Sequence, residues 1–360
     1  MIQVDGARCS AFCSNDYLGL ASHPRVIEAL TRAASRQGVG SGASHLVCGH
    51  HESHDALERA LAEATGREAA LLFSTGYMAN LGVISALAGR RQTVLEDRLN
   101  HASLIDGARL SDARLVRYAH ADAAALEEAL EQQESPALVA TDSVFSMDGD
   151  LAPLTEIAVL CQSREIPLLV DDAHGFGVLG ESGGGVVEAL GLCQNSVPLL
   201  MGTLGKALGV SGAFVAGSRA LIDYLVQQAR TYIYTTAMPP ALAEATLESL
   251  AISREEGWRR RRLDALVEWF RREASALGYE LMPSSTPIQP LIVGSAEDAL
   301  ALSEALERRG ILVPAIRPPT VPKGTARLRF TFSAEHTDAQ MEELISALSA
   351  VRDEAGHERR

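Results

Sequence analysis

The chain has 360 residues, of which 47% are apolar and 22% charged, enough for a large core plus a smaller domain. Forty-six acidic residues against 32 basic ones leave a formal charge of −14, which argues against a nucleic-acid or anionic-membrane surface. Cys9, Cys13, Cys48, Cys161 and Cys193 form no Cys-x-x-Cys pair, and Met1-Ile2-Gln3-Val4-Asp5 carries no basic-then-apolar leader, so a reduced, cytoplasmic protein is expected.

Segment 1–20 is too short for a domain and is expected to pack on another part of the molecule. Short apolar runs then alternate with amphipathic stretches. Strands are predicted at Ala69–Phe73, Thr93–Glu96, Ala137–Thr141, Pro167–Val170, Pro198–Met201 and Ala213–Ala216. Helical patterns fall between them at Ser53–Thr65, Asp122–Gln132 and Leu154–Arg164. Ala69–Ala88 is apolar enough to raise a membrane question, but Ser74, Thr75, Gly76, Tyr77 and Asn80 make it a buried strand, a turn and a helix. The alternation predicts an α/β fold with a large, mainly parallel sheet covered by helices on both faces. After Pro239-Pro240 a long helical pattern runs to about Leu277, broken at Gly257. A strand–helix–strand pattern follows at Pro290–Val293, Glu297–Arg309, Ile311–Val313 and Ala326–Phe332, which predicts a smaller C-terminal α+β domain. The boundaries are drawn at 1–20, 21–250 and 251–360. The basic run Arg259–Arg262 reads as a solvated face, and is a candidate patch for docking an acidic partner.

Ligands of open parallel sheets bind beyond the carboxyl ends of the strands, so the residues there are read together. Phe73 is followed by Ser74-Thr75-Gly76-Tyr77 and a helix start, a place for a phosphate. Glu96 leads to His101, Thr141 to Asp142 and Ser146, and Val170 to Asp171-Asp172-Ala173-His174. Met201 leads to Thr203 and Lys206. Lys206 is one of only two lysines, the other 30 basic residues being arginines. Lysine, unlike arginine, can lose its proton and attack a carbonyl. A lysine, a strand-end aspartate, two histidines and a phosphate cradle together match the needs of pyridoxal 5′-phosphate: an aldehyde, a ring nitrogen kept protonated, a stacked face and a phosphate arm.

The chain resembles the α-oxoamine synthase family of pyridoxal-phosphate enzymes over nearly its whole length. The resemblance is carried by Asn15-Asp16-Tyr17-Leu18-Gly19-Leu20, Gly40-Ser41-Gly42-Ala43-Ser44, Asp97-Arg98-Leu99-Asn100-His101-Ala102-Ser103, Phe145-Ser146-Met147-Asp148-Gly149, Asp171-Asp172-Ala173-His174-Gly175 and Thr203-Leu204-Gly205-Lys206. It implies an aspartate-aminotransferase-like fold and a cytoplasmic homodimer with a shared active site. Within the family, Ile316-Arg317-Pro318-Pro319-Thr320-Val321-Pro322 is most similar to the acyltransferases that condense L-alanine with a pimeloyl thioester in biotin synthesis. The resemblance implies that Lys206 binds the cofactor and later moves the substrate α-proton. Asp171 would pair with the ring nitrogen, His101 would stack on the ring, and His174 and Ser146 would hold its phenolate side. Gly76, Tyr77 and Thr203 would hold the phosphate, with Thr235 reaching it from the other subunit. Asn15, Thr320 and Arg329, with His101, would meet the substrate, Arg329 by gripping a carboxylate.

Two features depart from that branch. Asp142 stands where that branch usually has a glutamate, the shorter acid resembling the related 2-amino-3-ketobutyrate ligases, and the chain begins close to the Asn15 motif. Glycine C-acetyltransferase is therefore the rival within the family. From another class, Gly175-Phe176-Gly177-Val178-Leu179-Gly180 fits a dinucleotide loop, but the glycines 183–185 that follow would not sustain the required helix. His50, His51 and His54 invite a metal, yet polar residues at a helix start explain them, and no metal is expected.

Overall fold

The computed structural model describes residues 2–4 and 6–358. The chain forms two compact units. The larger comprises Leu20–Phe145 and Leu151–Gly257; the smaller comprises residues up to Gly19, Ser146–Asp150 and those from Trp258 on. The boundary drawn at 250/251 thus falls at 257/258, where Gly257 separates the helices Pro240–Glu255 and Trp258–Ala276. Segment 1–20 joins the C-terminal unit almost whole, and so does the short stretch at 146–150.

The larger unit is built on seven strands in the spatial order Ala69–Phe73, Ala213–Gly217, Leu199–Thr203, Leu168–Asp171, Pro136–Asp142, Thr93–Asp97, Arg114–Tyr118. Only Ala213–Gly217 runs against its neighbours; the remaining pairs are parallel. Six of these strands are the apolar runs read from the sequence. The seventh, Arg114–Tyr118, is an edge strand with exposed arginines, so its pattern lacks a buried run. Successive side chains of a strand face opposite ways, and Ala69–Phe73 uses both faces. Leu71 and Phe73 pack with the helices Gly76–Leu87 and Ala102–Leu110, while Ala70 and Leu72 pack with Glu52–Ala64 and Pro240–Glu255. A sheet covered on both faces needs continuous apolar strands, hence the uninterrupted runs.

Local chemistry sets where the helices begin. Thr75, Asp122 and Ser218 each accept a backbone N–H of the first turn, and Pro24 and Pro240 stand at first-turn positions that need no donor. In the smaller unit an antiparallel sheet runs Glu280–Leu281, Ile288–Gly294, Ala326–Thr331, Ala315–Ile316. Ala7–Ala11 pairs with Ile311–Leu312, which is how the N-terminal segment is held. Helices Trp258–Ala276, Ala296–Glu307 and Asp338–Glu358 complete this unit.

Most of the basic run does not face solvent as expected. Arg259 and Arg260 are buried, and Arg259 donates to Leu18 O at 2.8 Å and to Glu335 at 2.7 Å. Arg262 donates to His336 O at 2.9 Å and to Asp338 at 2.5 Å. Arg259 and Arg262 thus join the N-terminal segment and the C-terminal elements of one unit, which leaves only Arg261 of the run exposed. All five cysteines are free thiols, and no described helix is long and apolar enough to cross a membrane.

Candidate active site

Phe73, Asp97, Asp142, Asp171 and Thr203 end their strands at one edge of the large sheet. Lys206 follows Thr203 in a turn closed by Leu204 N–H to Gly212 O and Val210 N–H to Leu204 O, both at 2.9 Å. Gly209 in that turn has φ +65°, and a Cβ there would lie 2.3 Å from Ala21 N, so only glycine fits. Lys206 Nζ lies 3.0 Å from Nε2 of buried His174. An ammonium can only donate, so Nε2 accepts and a neutral His174 keeps its proton on Nδ1.

Asp171 is buried, and two donors fix the plane of its carboxylate. Ala173 N–H reaches Oδ1 at 3.0 Å and Asn80 Nδ2 reaches Oδ2 at 2.7 Å. Asp142 is its neighbour across the parallel strands, and Asp142 Oδ2 accepts the His101 N–H at 2.6 Å. Burial, then the charge of Asp171, push the Asp142 carboxyl well above its usual value. Asp172, one residue on, turns inward and accepts Ser143 Oγ at 2.5 Å and Val186 N–H at 3.0 Å. A Cβ on Gly175 or Gly185 would come within 2.1 or 1.8 Å of its carboxylate oxygens. The glycines from 175 on are therefore turns wrapped round a buried acid. The next helix begins only at Val186, so no dinucleotide loop opens it.

His101 caps the Ala102–Leu110 helix, with Nδ1 2.8 Å from Ser103 Oγ. Asn80 Nδ2 also donates to Ser103 Oγ, at 2.8 Å. Asn80 Oδ1 has no hydrogen-bond partner among the described residues, a burden of about 1–3 kcal/mol. Asn100 straps this loop to the neighbouring strand, donating to Ala140 O at 2.8 Å and accepting Asp142 N–H at 3.1 Å. In the sequence Asn80, Ser103 and Asn100 had no role at the site, Asn80 counting only against a membrane span and the other two only as members of a motif. The available signal was a lone amide inside the otherwise apolar helix Gly76–Leu87.

Gly76 opens that helix, and a Cβ on it would meet only Met201, at an ordinary 3.5 Å, so protein atoms leave space over this backbone. A helix start of this kind suits an anion. The Thr203 hydroxyl donates to Gly212 O at 3.2 Å, and the Tyr77 hydroxyl is taken up by Asp106. Thr235 is half-buried and follows the short helix Arg230–Ile233. A primary amine, an acid fixed by two donors, an imidazole and a helix start share one sheet edge. That donor set fits an aldehyde ring with a basic nitrogen and a phosphate arm.

In the smaller unit, Arg329 is buried on Ala326–Thr331 and its Nε donates to Ser146 O. Asn15 accepts the hydroxyl of buried Tyr17 at 3.2 Å. Burial, opposed by the nearby Arg329, pushes the Tyr17 phenol up to about 12. Thr320 is exposed in the turn after Arg317.

The second histidine group is tied to backbone. His54 accepts His51 N–H at 2.9 Å on Nδ1 and donates from Nε2 to Met238 O at 2.8 Å, which uses both ring nitrogens. His45 and His50 meet Nδ1 to Nδ1 at 2.7 Å, and His45 stacks on Tyr232.

The family model for aminotransferase class I and II matches residues 8–348, and the chain belongs to that family. It is 61% identical to the 8-amino-7-oxononanoate synthase of Marinobacter nauticus over 351 residues, 98% of this chain and 89% of that one. The same enzyme of Alkalilimnicola ehrlichii is 62% identical, covering 97% and 90%. Among solved structures, Sphingomonas wittichii serine palmitoyltransferase superposes with a TM-score of 0.94 at 33% identity, covering 98% of this chain and 89% of that one. Francisella tularensis 8-amino-7-oxononanoate synthase gives 0.84 at 31%, covering 98% and 99%. The α-oxoamine synthase resemblance and the aspartate-aminotransferase-like fold read from the motifs agree with these matches.

Proposed function

We propose that this chain is a pyridoxal 5′-phosphate-dependent acyltransferase that condenses L-alanine with a pimeloyl thioester. The products are 8-amino-7-oxononanoate, CO2 and the free thiol carrier, within biotin biosynthesis. The observation that carries this reading is the Lys206 amine set 3.0 Å from His174 at the sheet edge that also presents the doubly bonded Asp171 carboxylate. The high identity to synthases of that name supports the substrates.

The bound cofactor would supply a reactive carbonyl and an electron-withdrawing ring. Lys206 would hold that carbonyl, and its Nζ would afterwards take the substrate α-proton. His174 Nε2 accepts a hydrogen bond from that ammonium and so aims it. Asp171 favours a proton on the ring nitrogen by placing a negative charge beside it. His101 would cover the ring face and exclude water. By the family resemblance, the helix start at Gly76 and Tyr77, with Thr203, would hold the phosphate, Ser146 the phenolate side, and Asn15, Thr320 and Arg329 the substrates.

The working form is a cytoplasmic homodimer in which Thr235 serves the partner copy's phosphate. Leu46, Val47, Tyr77, Met78 and Tyr234 are exposed on the larger unit. The Thr231 hydroxyl bonded to Met78 O, and Tyr232 stacked on His45, draw their segments into one apolar surface that a second copy would cover.

The test is thiol release from pimeloyl, acetyl, succinyl or palmitoyl thioesters offered with alanine, glycine or serine. Alanine with pimeloyl thioester should dominate; preference for glycine with acetyl thioester would reject the assignment. Coenzyme A and carrier-protein thioesters run side by side identify the donor. Lys206→Ala should lower turnover by at least about 10³-fold with unchanged far-ultraviolet circular dichroism. Retained turnover and retained cofactor colour would remove Lys206 from the chemistry.

A further inference from the structure

His101 and Asp171 stand at different strand ends, yet one buried chain of hydrogen bonds joins them. Asn80 is fully buried in the middle of Gly76–Leu87. Its Nδ2 donates to Asp171 Oδ2 at 2.7 Å and to Ser103 Oγ at 2.8 Å. The orientation of the amide is forced, because the reverse one would aim Oδ1 at a carboxylate that can only accept. With Asn80 donating to it, Ser103 Oγ is left with a single proton, and His101 Nδ1 lies 2.8 Å away to take it. The Ser103 N–H points at the same nitrogen, at 3.3 Å. Nδ1 is thus an acceptor twice over, and a neutral His101 carries its proton on Nε2. Placing a proton on Nδ1 would drive the Ser103 hydroxyl proton back towards the Asn80 donor, where it loses its acceptor. The His101 N–H bonded to Asp142 Oδ2 anchors the backbone from which the ring projects.

We infer that Asn80 and Ser103 are positioning residues that hold His101 as the neutral Nε2–H imidazole and, through the same amide, orient the Asp171 carboxylate. The inference rests on the cofactor reading proposed for this edge. Asp171 favours a cationic ring nitrogen, and a cationic imidazole stacked on the same ring would oppose it. The neutral tautomer removes that conflict. One side-chain amide therefore serves both groups that act on the ring.

The test is nitrogen NMR of the full-length chain labelled with 15N-histidine, with and without pyridoxal 5′-phosphate. The His101 signals are assigned by their loss in His101→Gln. Wild type should show a bare Nδ1 and a protonated Nε2 in both samples. Ser103→Ala should lose this single-tautomer signature and gain an Nδ1–H signal, with kcat falling about tenfold and the KM for alanine nearly unchanged. Asn80→Ala should do the same. An Nδ1–H signal in wild type overturns the inference, as does a Ser103→Ala protein that keeps the lone Nε2–H form. These two spectra decide whether or not Asn80→Ala folds. Failure of wild type to take up the cofactor would reject the functional reading, while the cofactor-free spectra still judge the hydrogen-bond chain.

Discussion

Two groups of histidines in the larger unit look alike in the sequence and are put to different use. His54 spends both ring nitrogens on main-chain groups, and His45 leans on Tyr232 and His50. Burial pushes His45 down to about 3 and lowers His54, so both stay neutral and act as shaped, hydrogen-bonding core residues. His174 and His101 instead bond to side chains with chemistry of their own, Lys206 and Ser103. What a histidine does follows from its partners, and spacing along the chain does not reveal them. The Asp171–Asp172 pair repeats the lesson, since one acid faces the sheet edge and the next is wrapped by its own loop.

The contrast can be broken by exchanging readouts. His174→Ala should lower kcat by about 10²–10³-fold, with a smaller change in unfolding midpoint than any His54 truncation causes. Steady-state kinetics and urea unfolding of the same preparation decide this; a purely stability-driven loss would erase the distinction. His54→Ala should cost about 2–4 kcal/mol of stability through two lost hydrogen bonds and a cavity, read from the denaturant midpoint. A stable but inactive His54→Ala would move that residue to the catalytic group.

The smallest effect sharpens the same point for acids. Asp171 has two close donors, whereas the carboxyl of fully buried Glu96 is offset only in part, by the charge of Arg117 and by the Asn100 side chain. Burial raises Glu96 from 4.5 to about 8. Between those values the folded protein keeps a proton that the unfolded chain has lost, so Glu96 makes stability fall as pH rises through that window. Glu96→Gln should flatten the fall and add about 1–2 kcal/mol at pH 8. Chemical denaturation at pH 5 and pH 8 measures it, and an unchanged slope would contradict the burial argument.

Much of this was legible in the sequence, for physical reasons. Strands buried on both faces must be continuous apolar runs, so six of the seven large-sheet strands were plain, and the edge strand Arg114–Tyr118 was not. Lys206 stood out because arginine fills nearly every other basic position. The side of the fold to which Arg259–Arg262 turns was not legible. A run of charges reads as solvated unless its distant carbonyl and acid partners, such as Leu18 O and Glu335, are known. Asn80 was hidden for the same reason, since its partners lie 23 and 91 residues away.

The single reversed strand has a mechanical meaning. A parallel successor to Leu199–Thr203 would require a long crossover through a helix. Because Ala213–Gly217 comes straight back, with Thr203 opposite Ala213, the chain returns through the single loop 204–212 with no helix between. Lys206 hangs on that short tether, clamped at both feet by the sheet and pressed at Gly209 against the main chain of Ala21. The backbone at Lys206 is thereby held by the sheet at both ends of the loop, and in the proposed mechanism the four methylenes of the side chain supply the reach between binding a carbonyl and carrying a proton.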